Sequence, residues 1–375
     1  MEFRYLYIDD NSKENALGII TGLDEEGLIK IDFDNPKGKW EEERARLISE
    51  EFKSYDGLIL DLNLEEMPNM HKVHSLYKGS SLAQEIRNVS KAGEIKEIPI
   101  VLLSATINLN KYFDKTNEDL FDLIISRDQL SNIYIETRQK LLALADGYRL
   151  IEASKAESNY NNLFQHDLSQ EDVRLQGEIK SIGEFPIHTV ANFIIKNLLN
   201  RTGVLISEEI LATRLGINVD RSDDWPIVKK NLERYEYKGA FHVGWKRWWM
   251  SGIDNWWNFE LHSEKSLRSI DASARIALIK SKLDLQGLSP IIKAEKSRSS
   301  KFWTNCVGSG VAIDTIDGLA IANQDNLFPW QDRSYVSVEE ALRPTGKEKW
   351  KKISPSEEFK LIQLRKLYPN ERIKG

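Results

Sequence analysis

Four short apolar runs in the first 130 residues each lead into a residue able to do chemistry. FRYLYI (3–8) runs into Asp9 and Asp10, GLILDL (57–62) carries Asp61, IPIVLL (98–103) is followed by Ser104, and LFDLII (120–125) by Ser126 and Arg127. A buried apolar strand would not end in a carboxylate for packing alone, because an unpaired buried charge is costly. Three carboxylates brought together repel one another unless a cation sits among them. Hard oxygen ligands with open positions suit Mg2+. A carboxylate beside that ion can attack a phosphoryl group, since the metal neutralises charge on the transferring oxygens.

Such a site requires elements that bring these ends together. Phe3–Ile8 reads as a strand, Asn15–Gly22 as a helix and Leu28–Phe33 as a strand, with a turn at Asn35-Pro36-Lys37-Gly38. Trp40–Phe52 has an amphipathic helical pattern, Gly57–Leu62 is a strand, and Leu82–Val89 is a helix. Ile98–Leu103, a short helix over Tyr112–Leu120, a strand over Leu120–Ile125 and a long helix over Ile133–Leu150 complete the series. Five β–α repeats with strands this apolar predict a parallel sheet covered on both faces. The right-handed crossover rule leaves a doubly wound five-stranded sheet as the leading topology, in the order 2-1-3-4-5. Strands 1 and 3 are then neighbours, and Asp9, Asp10 and Asp61 share one edge.

In order and at sensible spacing, YIDDN (7–11), LILDLNL (58–64), GSSLAQEIR (79–87) and VLLSAT (101–106) resemble the receiver domain of bacterial two-component response regulators, a flavodoxin- or CheY-like fold. The resemblance covers about 40% of the chain. It implies that Asp61 is the phosphorylated aspartate. It also implies that Asp9, Asp10 and the backbone carbonyl of Asn63 hold Mg2+ with Asp61, and that Ser104 is the hydroxyl that turns toward the phosphoryl group. A histidine kinase would be the donor, and a homodimer is compatible with such a protein. Two departures stand out. Receivers end strand 5 in a lysine, whereas no lysine lies between Lys115 and Lys140 here, and Arg127 is the basic residue in that neighbourhood. Its planar fork asks for different geometry. The aromatic switch residue of strand 5 is replaced by Leu123, Ile124 and Ile125, and the loop Glu65–Lys78, with His71 and His74, is long. A receiver fold that no longer receives, serving as a docking module, is the competing reading.

Charge separates two parts of the chain. Residues 1–150 hold 28 Asp/Glu and 19 Lys/Arg, and the remainder 30 and 33, within an overall net of −6. The acidic first part argues against contact with nucleic acid; the second part permits it. Nine of the ten tryptophans follow residue 220. The expected organisation is a receiver over 1–150, a mainly helical, Trp-rich effector or interaction domain over 151–347, and a basic tail over 348–375. One cysteine, Cys306, excludes an internal disulfide; no long apolar stretch or signal segment is read, so the expected location is the cytoplasm.

In the second part, Ile187–Leu199, Ser207–Leu215 and Trp225–Leu232 read as helices, the second capped by Ser207 and stopped by Gly216. SEEILATRLGI followed by DWPIVKKNL is similar to a helix-turn-helix, which makes DNA binding through 187–235 an alternative function. Asp220, Asp223 and Asp224 would face phosphates unfavourably. Trp245, Trp248 and Trp249, followed by Trp256 and Trp257, could form a core, a partner interface or a base-stacking platform. Cys306 has no histidine at a telling spacing, and no zinc pattern, P-loop or G-x-G-x-x-G occurs. GWKRWW and FPWQDRSYVS resemble regions that accompany atypical receivers in bacterial conflict or defence operons.

Overall fold

The computed structural model describes residues 2–66, 74–157 and 159–369. The chain forms two compact units that are not contiguous in sequence. The first comprises 1–168, 176–197 and 238–245, and the second 169–175, 198–237 and 246–375.

The first unit is built on β1 (Phe3–Ile8), β2 (Ile29–Asp34), β3 (Gly57–Leu60), β4 (Ile100–Ser104) and β5 (Leu123–Ser126), in the order β2-β1-β3-β4-β5 with every pairing parallel. β3 and β4 are buried along their whole length, which is why they read as unbroken apolar runs. Around them lie α1 (Lys13–Leu23), α2 (Trp40–Leu47), α3 (Glu50–Lys53), α4 (Gly79–Lys91), α5 (Thr106–Tyr112), α6 (Arg127–Leu130) and α7 (Tyr134–Glu157). Leu6, Ile8, Leu58, Leu60, Ile100 and Leu102 pack with Leu82, Ile86 and Val89 of α4 in one core. The short helices α8 (Tyr160–Phe164), α9 (Val173–Ile182) and α10 (Ile187–Phe193) follow, and α7 runs through residue 150 without a break.

Two local expectations are corrected. The helix expected over Trp40–Phe52 is two helices, because the Ser49 hydroxyl takes the Phe52 N–H at 3.2 Å and caps a new start. The helix expected over Tyr112–Leu120 lies earlier, as α5, and a 3-10 turn over Lys115–Leu120 follows it, with the Asp114 carboxylate on the Thr116 N–H.

The second unit is mainly helical. It contains α11 (Glu208–Leu215), α12 (Trp225–Asn231), α13 (Met250–Asn255), α14 (Ala272–Leu283), α15 (Val338–Leu342), α16 (Lys347–Trp350) and α17 (Glu358–Leu367). Short antiparallel pairs link β6 (Leu205–Ile206) to β7 (Trp248–Trp249), β8 (Thr304–Asn305) to β9 (Ala312–Ile313), and β10 (Gly318–Ala320) to β11 (Tyr335–Ser337). Ser207 caps α11 by accepting from Ile210 N, and Gly216 ends it in the left-handed region at φ 77°. One core joins α11, α12, α13 and α14 around Trp225, Trp248, Trp256 and Trp257; a smaller one gathers Cys306, Leu319, Val336 and Trp350. Among the described residues no helix is long and apolar enough to cross a membrane.

Candidate functional site

Parallel strands place their carboxyl ends on one edge, and the strand order reverses between β1 and β3, where such folds open a crevice. Ile8 of β1 pairs in register with Leu60 of β3, and the Asp61 N–H donates to Ile8 O at 3.0 Å. The next residues along each strand are Asp9, Asp10 and Asp61. Their carboxylate oxygens come within 4.8 Å of one another, all three residues buried. An octahedral Mg2+ with bonds of about 2.1 Å spaces opposite oxygens about 4.2 Å apart. Three hard carboxylate oxygens gathered this closely are the kind of donor set such an ion takes.

Asp9 is held from several sides. Asn11 donates its N–H (2.9 Å) and side-chain amide (2.8 Å) to Oδ1, while the Tyr7 hydroxyl donates to Oδ2. Asn35, after β2, donates its amide to the backbone carbonyls of Asp9 (2.9 Å) and Asn11 (2.8 Å) and fixes the loop. Arg127, the first residue of α6, reaches Asp9 Oδ2 at 2.6 Å and Asp61 Oδ1 at 3.2 Å through the same nitrogen, Nη2. The arginine thus stands over the acidic cluster at the end of β5.

Asp61 is positioned by backbone. The Asn63 N–H donates to Oδ2 at 3.2 Å, and the Asn63 amide turns away to Glu66 Oε1 at 2.8 Å. Gly79 opens α4 directly against this loop. A Cβ there would lie 2.1 Å from Asp61 O, so only glycine allows the approach. Burial, and after it the charge of Asp9, pushes the Asp61 carboxyl up to about 7, against Arg127, the Ser104 hydroxyl and the Leu62 N–H, which favour the ionised form. Asp61 Oδ1 and Ser104 Oγ are both buried, with Arg127 Nη2 3.2 Å from Oδ1 as an ion-pair partner.

The structure brings Asp9, Asp10, Asp61, Ser104 and Arg127 to one edge. It adds Tyr7, Asn11, Asn35 and Gly79, which sequence reasoning missed. Tyr7 had a signal, since residues two apart on a strand share a face. Asn35 had none, being 24 residues from the nearer carbonyl it holds. His71 lies outside the described residues; His74 Nδ1 pairs with Glu65 O at 3.2 Å.

In the second unit Trp248, Trp249, Trp256 and Trp257 are buried, and in the first unit so is Trp245, which lies under the Lys140 ammonium 5.7 Å from its ring. None presents a face for stacking a base. Ile210–Leu215 of α11 are buried throughout, and α12 exposes Pro226, Ile227, Lys230 and Asn231. Asp224 spends its carboxylate on the Gly287 N–H at 2.6 Å. Cys306 is buried, its sulfur accepting from Ser337 N at 3.2 Å and Ser309 N at 3.5 Å.

No family model and no curated protein matches the chain. Solved structures do. The phosphorylated cyanobacterial phytochrome response regulator RcpA is 21% identical, with 37% of this chain and 90% of that one covered and a TM-score of 0.27. A sensor protein from Polaromonas sp. JS666 is 18% identical, covering 38% and 98% with a TM-score of 0.27. The RcsB response regulator of Salmonella typhimurium is 12% identical, covering 50% and 97% with a TM-score of 0.25. The class is defined by the first unit's own strand order and flanking helices: a doubly wound, five-stranded parallel α/β fold of flavodoxin-like order. A mainly helical unit accompanies it.

Proposed function

We propose that the first unit is a phosphoryl-accepting signalling module with Asp61 as the acceptor, and that the second unit carries its output. The observation that supports this reading most is the buried trio Asp9, Asp10 and Asp61, with carboxylate oxygens within 4.8 Å of one another and the Arg127 guanidinium on Asp9 and Asp61. A phosphohistidine of a histidine kinase, the donor that the receiver resemblance suggests, supplies the phosphoryl group. An Asp61 carboxylate oxygen bonds to phosphorus, the phosphorus–nitrogen bond breaks, and the imidazole leaves with its electron pair. Asp9, Asp10, Asp61 and the Asn63 carbonyl are the groups that would hold Mg2+. When bound, Mg2+ supplies positive charge to the transferring oxygens. Arg127 takes the place of the usual lysine, and its guanidinium swings from Asp9 to the new phosphate, which two N–H groups can grip side by side. The Ser104 hydroxyl donates to a phosphoryl oxygen and carries the change into α5. The setting of this chemistry is cytoplasmic.

Incubation with acetyl phosphate and Mg2+, followed by phosphate-affinity electrophoresis, tests the assignment. A shifted band is expected for the wild type and none for Asp61→Ala. Equal behaviour of the two removes Asp61 as acceptor.

One observation favours a second reading. Arg127 already neutralises Asp9 and Asp61, so the unit could be a pseudo-receiver that docks a partner without metal or phosphate. A wild-type chain that binds no Mg2+ and takes no phosphate would establish that alternative.

A further inference from the structure

The second unit contains a cavity of about 830 Å3 between α15, α16 and α17, far from any residue of the acidic cluster in sequence. That volume falls within the range of small-molecule sites. Its floor is apolar, formed by Leu342, Pro344, Ile353 and Leu361 with the edge of Trp350. Its rim carries Lys347, Lys351, Lys352 and Arg365 against a single carboxylate, Glu358.

Three features show that this rim is built. First, Glu340 of α15, 2% exposed, gathers the loop that forms one wall. Its carboxylate accepts from Trp350 Nε1 (2.7 Å), Thr345 Oγ1 (2.7 Å), Gly346 N (2.9 Å) and Thr345 N (3.2 Å). A buried carboxylate with this many donors is a rigid anchor. Second, the chain leaves α16 through Lys351 at φ 56° and ψ −61°, with the Lys352 N–H donating to Trp350 O at 2.6 Å. This is a γ-turn of the rare positive-φ kind, strained for a residue with a Cβ. The turn is locked from the other side, since Ala322 N donates to Lys352 O (2.9 Å) and Ser354 N to Ala320 O (2.8 Å). Third, Lys351, Lys352 and Arg365 have no ion pair among the described residues, whereas Lys347 rests its ammonium 4.3 Å from the centre of the Trp350 ring.

Strain and a buried anchor spent to set unpaired cations around an apolar floor call for a ligand that brings both missing parts. We propose that this cavity binds a phosphate-bearing small molecule of nucleotide size, its phosphates on Lys351, Lys352 and Arg365 and its apolar or aromatic body on Leu342, Ile353 and Leu361. One or more phosphates answer the excess positive charge, and the flat body covers the floor. The proposal concerns the second unit alone and stands or falls apart from phosphorylation of Asp61.

Titration calorimetry of the full chain at low salt, with ADP, pyrophosphate and adenosine as probes, tests it. ADP is expected to bind, pyrophosphate more weakly, and adenosine not at all. The surface double variant Lys352→Gln/Arg365→Gln should weaken ADP binding by about tenfold or more, since each charge-assisted contact is strong. Glu358→Gln should strengthen it by removing the one repelling charge, a change of sign that a folding defect would not give. Removal of residues 370–375 should leave binding intact. Absence of ADP binding at millimolar concentration overturns the proposal, as does an affinity that both rim variants leave unchanged. Binding of an RNA oligonucleotide through the same cations, with neither ADP nor pyrophosphate bound, also overturns it.

Discussion

Arg127 Nη2 stands 2.6 Å from Asp9 Oδ2, and the same nitrogen is 3.2 Å from Asp61 Oδ1. One side chain thus supplies the positive charge that the acidic edge needs. A divalent cation reaching Asp9 and Asp61 competes with it for the same oxygens. Arg127→Gln is therefore expected to bind Mg2+ several-fold more tightly than the wild type while accepting phosphate more slowly. Calorimetric Mg2+ titration and acetyl phosphate labelling read the two effects separately. Weaker Mg2+ binding in Arg127→Gln would show that the arginine assists the metal rather than opposing it.

Acidity at the same edge gives a pH dependence. Burial, followed by the charge of Asp9, raises the Asp61 carboxyl to about 7. In the unfolded chain an aspartate releases its proton near 3.9. A folded-state value above the unfolded one means that the group favours folding most below about pH 4 and that this contribution is lost as pH rises to about 7. Above that the metal-free fold carries an unfavourable ion, on the order of 4 kcal/mol for a shift of this size. Asp61→Asn should thus raise the melting temperature of the metal-free protein at pH 8 and leave it nearly unchanged at pH 4. Mg2+ should stabilise the wild type more at pH 8 than at pH 6. Thermal melts at three pH values with and without Mg2+ check both slopes.

Gly79 tests the framework of the site rather than its charges. With Asp61 O only 2.1 Å from where a Cβ would stand, Gly79→Ala must push α4 or the Asp61 loop aside. Backbone cannot yield as a side-chain tip does, and overpacking of this kind costs about 1–3 kcal/mol. The expected variant is folded, less stable and slower in acetyl phosphate labelling. Full labelling speed with unchanged stability would mean that the loop is not held by this contact.

Much of this edge could be read from the residues. Strands buried on both faces appear as continuous apolar runs, so β1, β3, β4 and β5 fell within a few residues of their observed bounds, and Asp9, Asp61 and Ser104 stood out at their ends. The direction of Arg127 could not be read, because it depends on where α6 begins. The break at Ser49 was hidden because a capping hydroxyl and an exposed helical serine are the same residue type. In the second unit the signal fails for a physical reason. Strands of two or three residues carry no period, and Trp245, Trp248 and Trp249 imitate a helical stripe although Trp248 and Trp249 form β7.

The far end of the same sheet holds a charge pair whose role is purely structural. Asp122, immediately before β5, accepts from Arg87 Nη2 (2.9 Å), Ile100 N (2.8 Å) and the Tyr148 hydroxyl (2.6 Å). Arg87 in turn donates to the carbonyls of Ile98 (2.8 Å) and Leu120 (3.0 Å), which ties α4 to the segments leading into β4 and β5. Both residues are almost wholly buried. Removing one partner leaves the other charge unpaired in the core, at a cost of about 3–5 kcal/mol. Asp122→Ala should therefore destabilise the first unit by that order in denaturant titration, and Tyr148→Phe, which removes one donor from a charged acceptor, by about 1.5–3 kcal/mol. Arg87→Met/Asp122→Leu replaces the pair by apolar groups and should recover much of the loss. Because these residues sit at the opposite strand ends from Asp61, the folded fraction of each variant should still take phosphate from acetyl phosphate at the wild-type rate. A labelling rate that falls with stability in this series would instead tie the two ends of the sheet together.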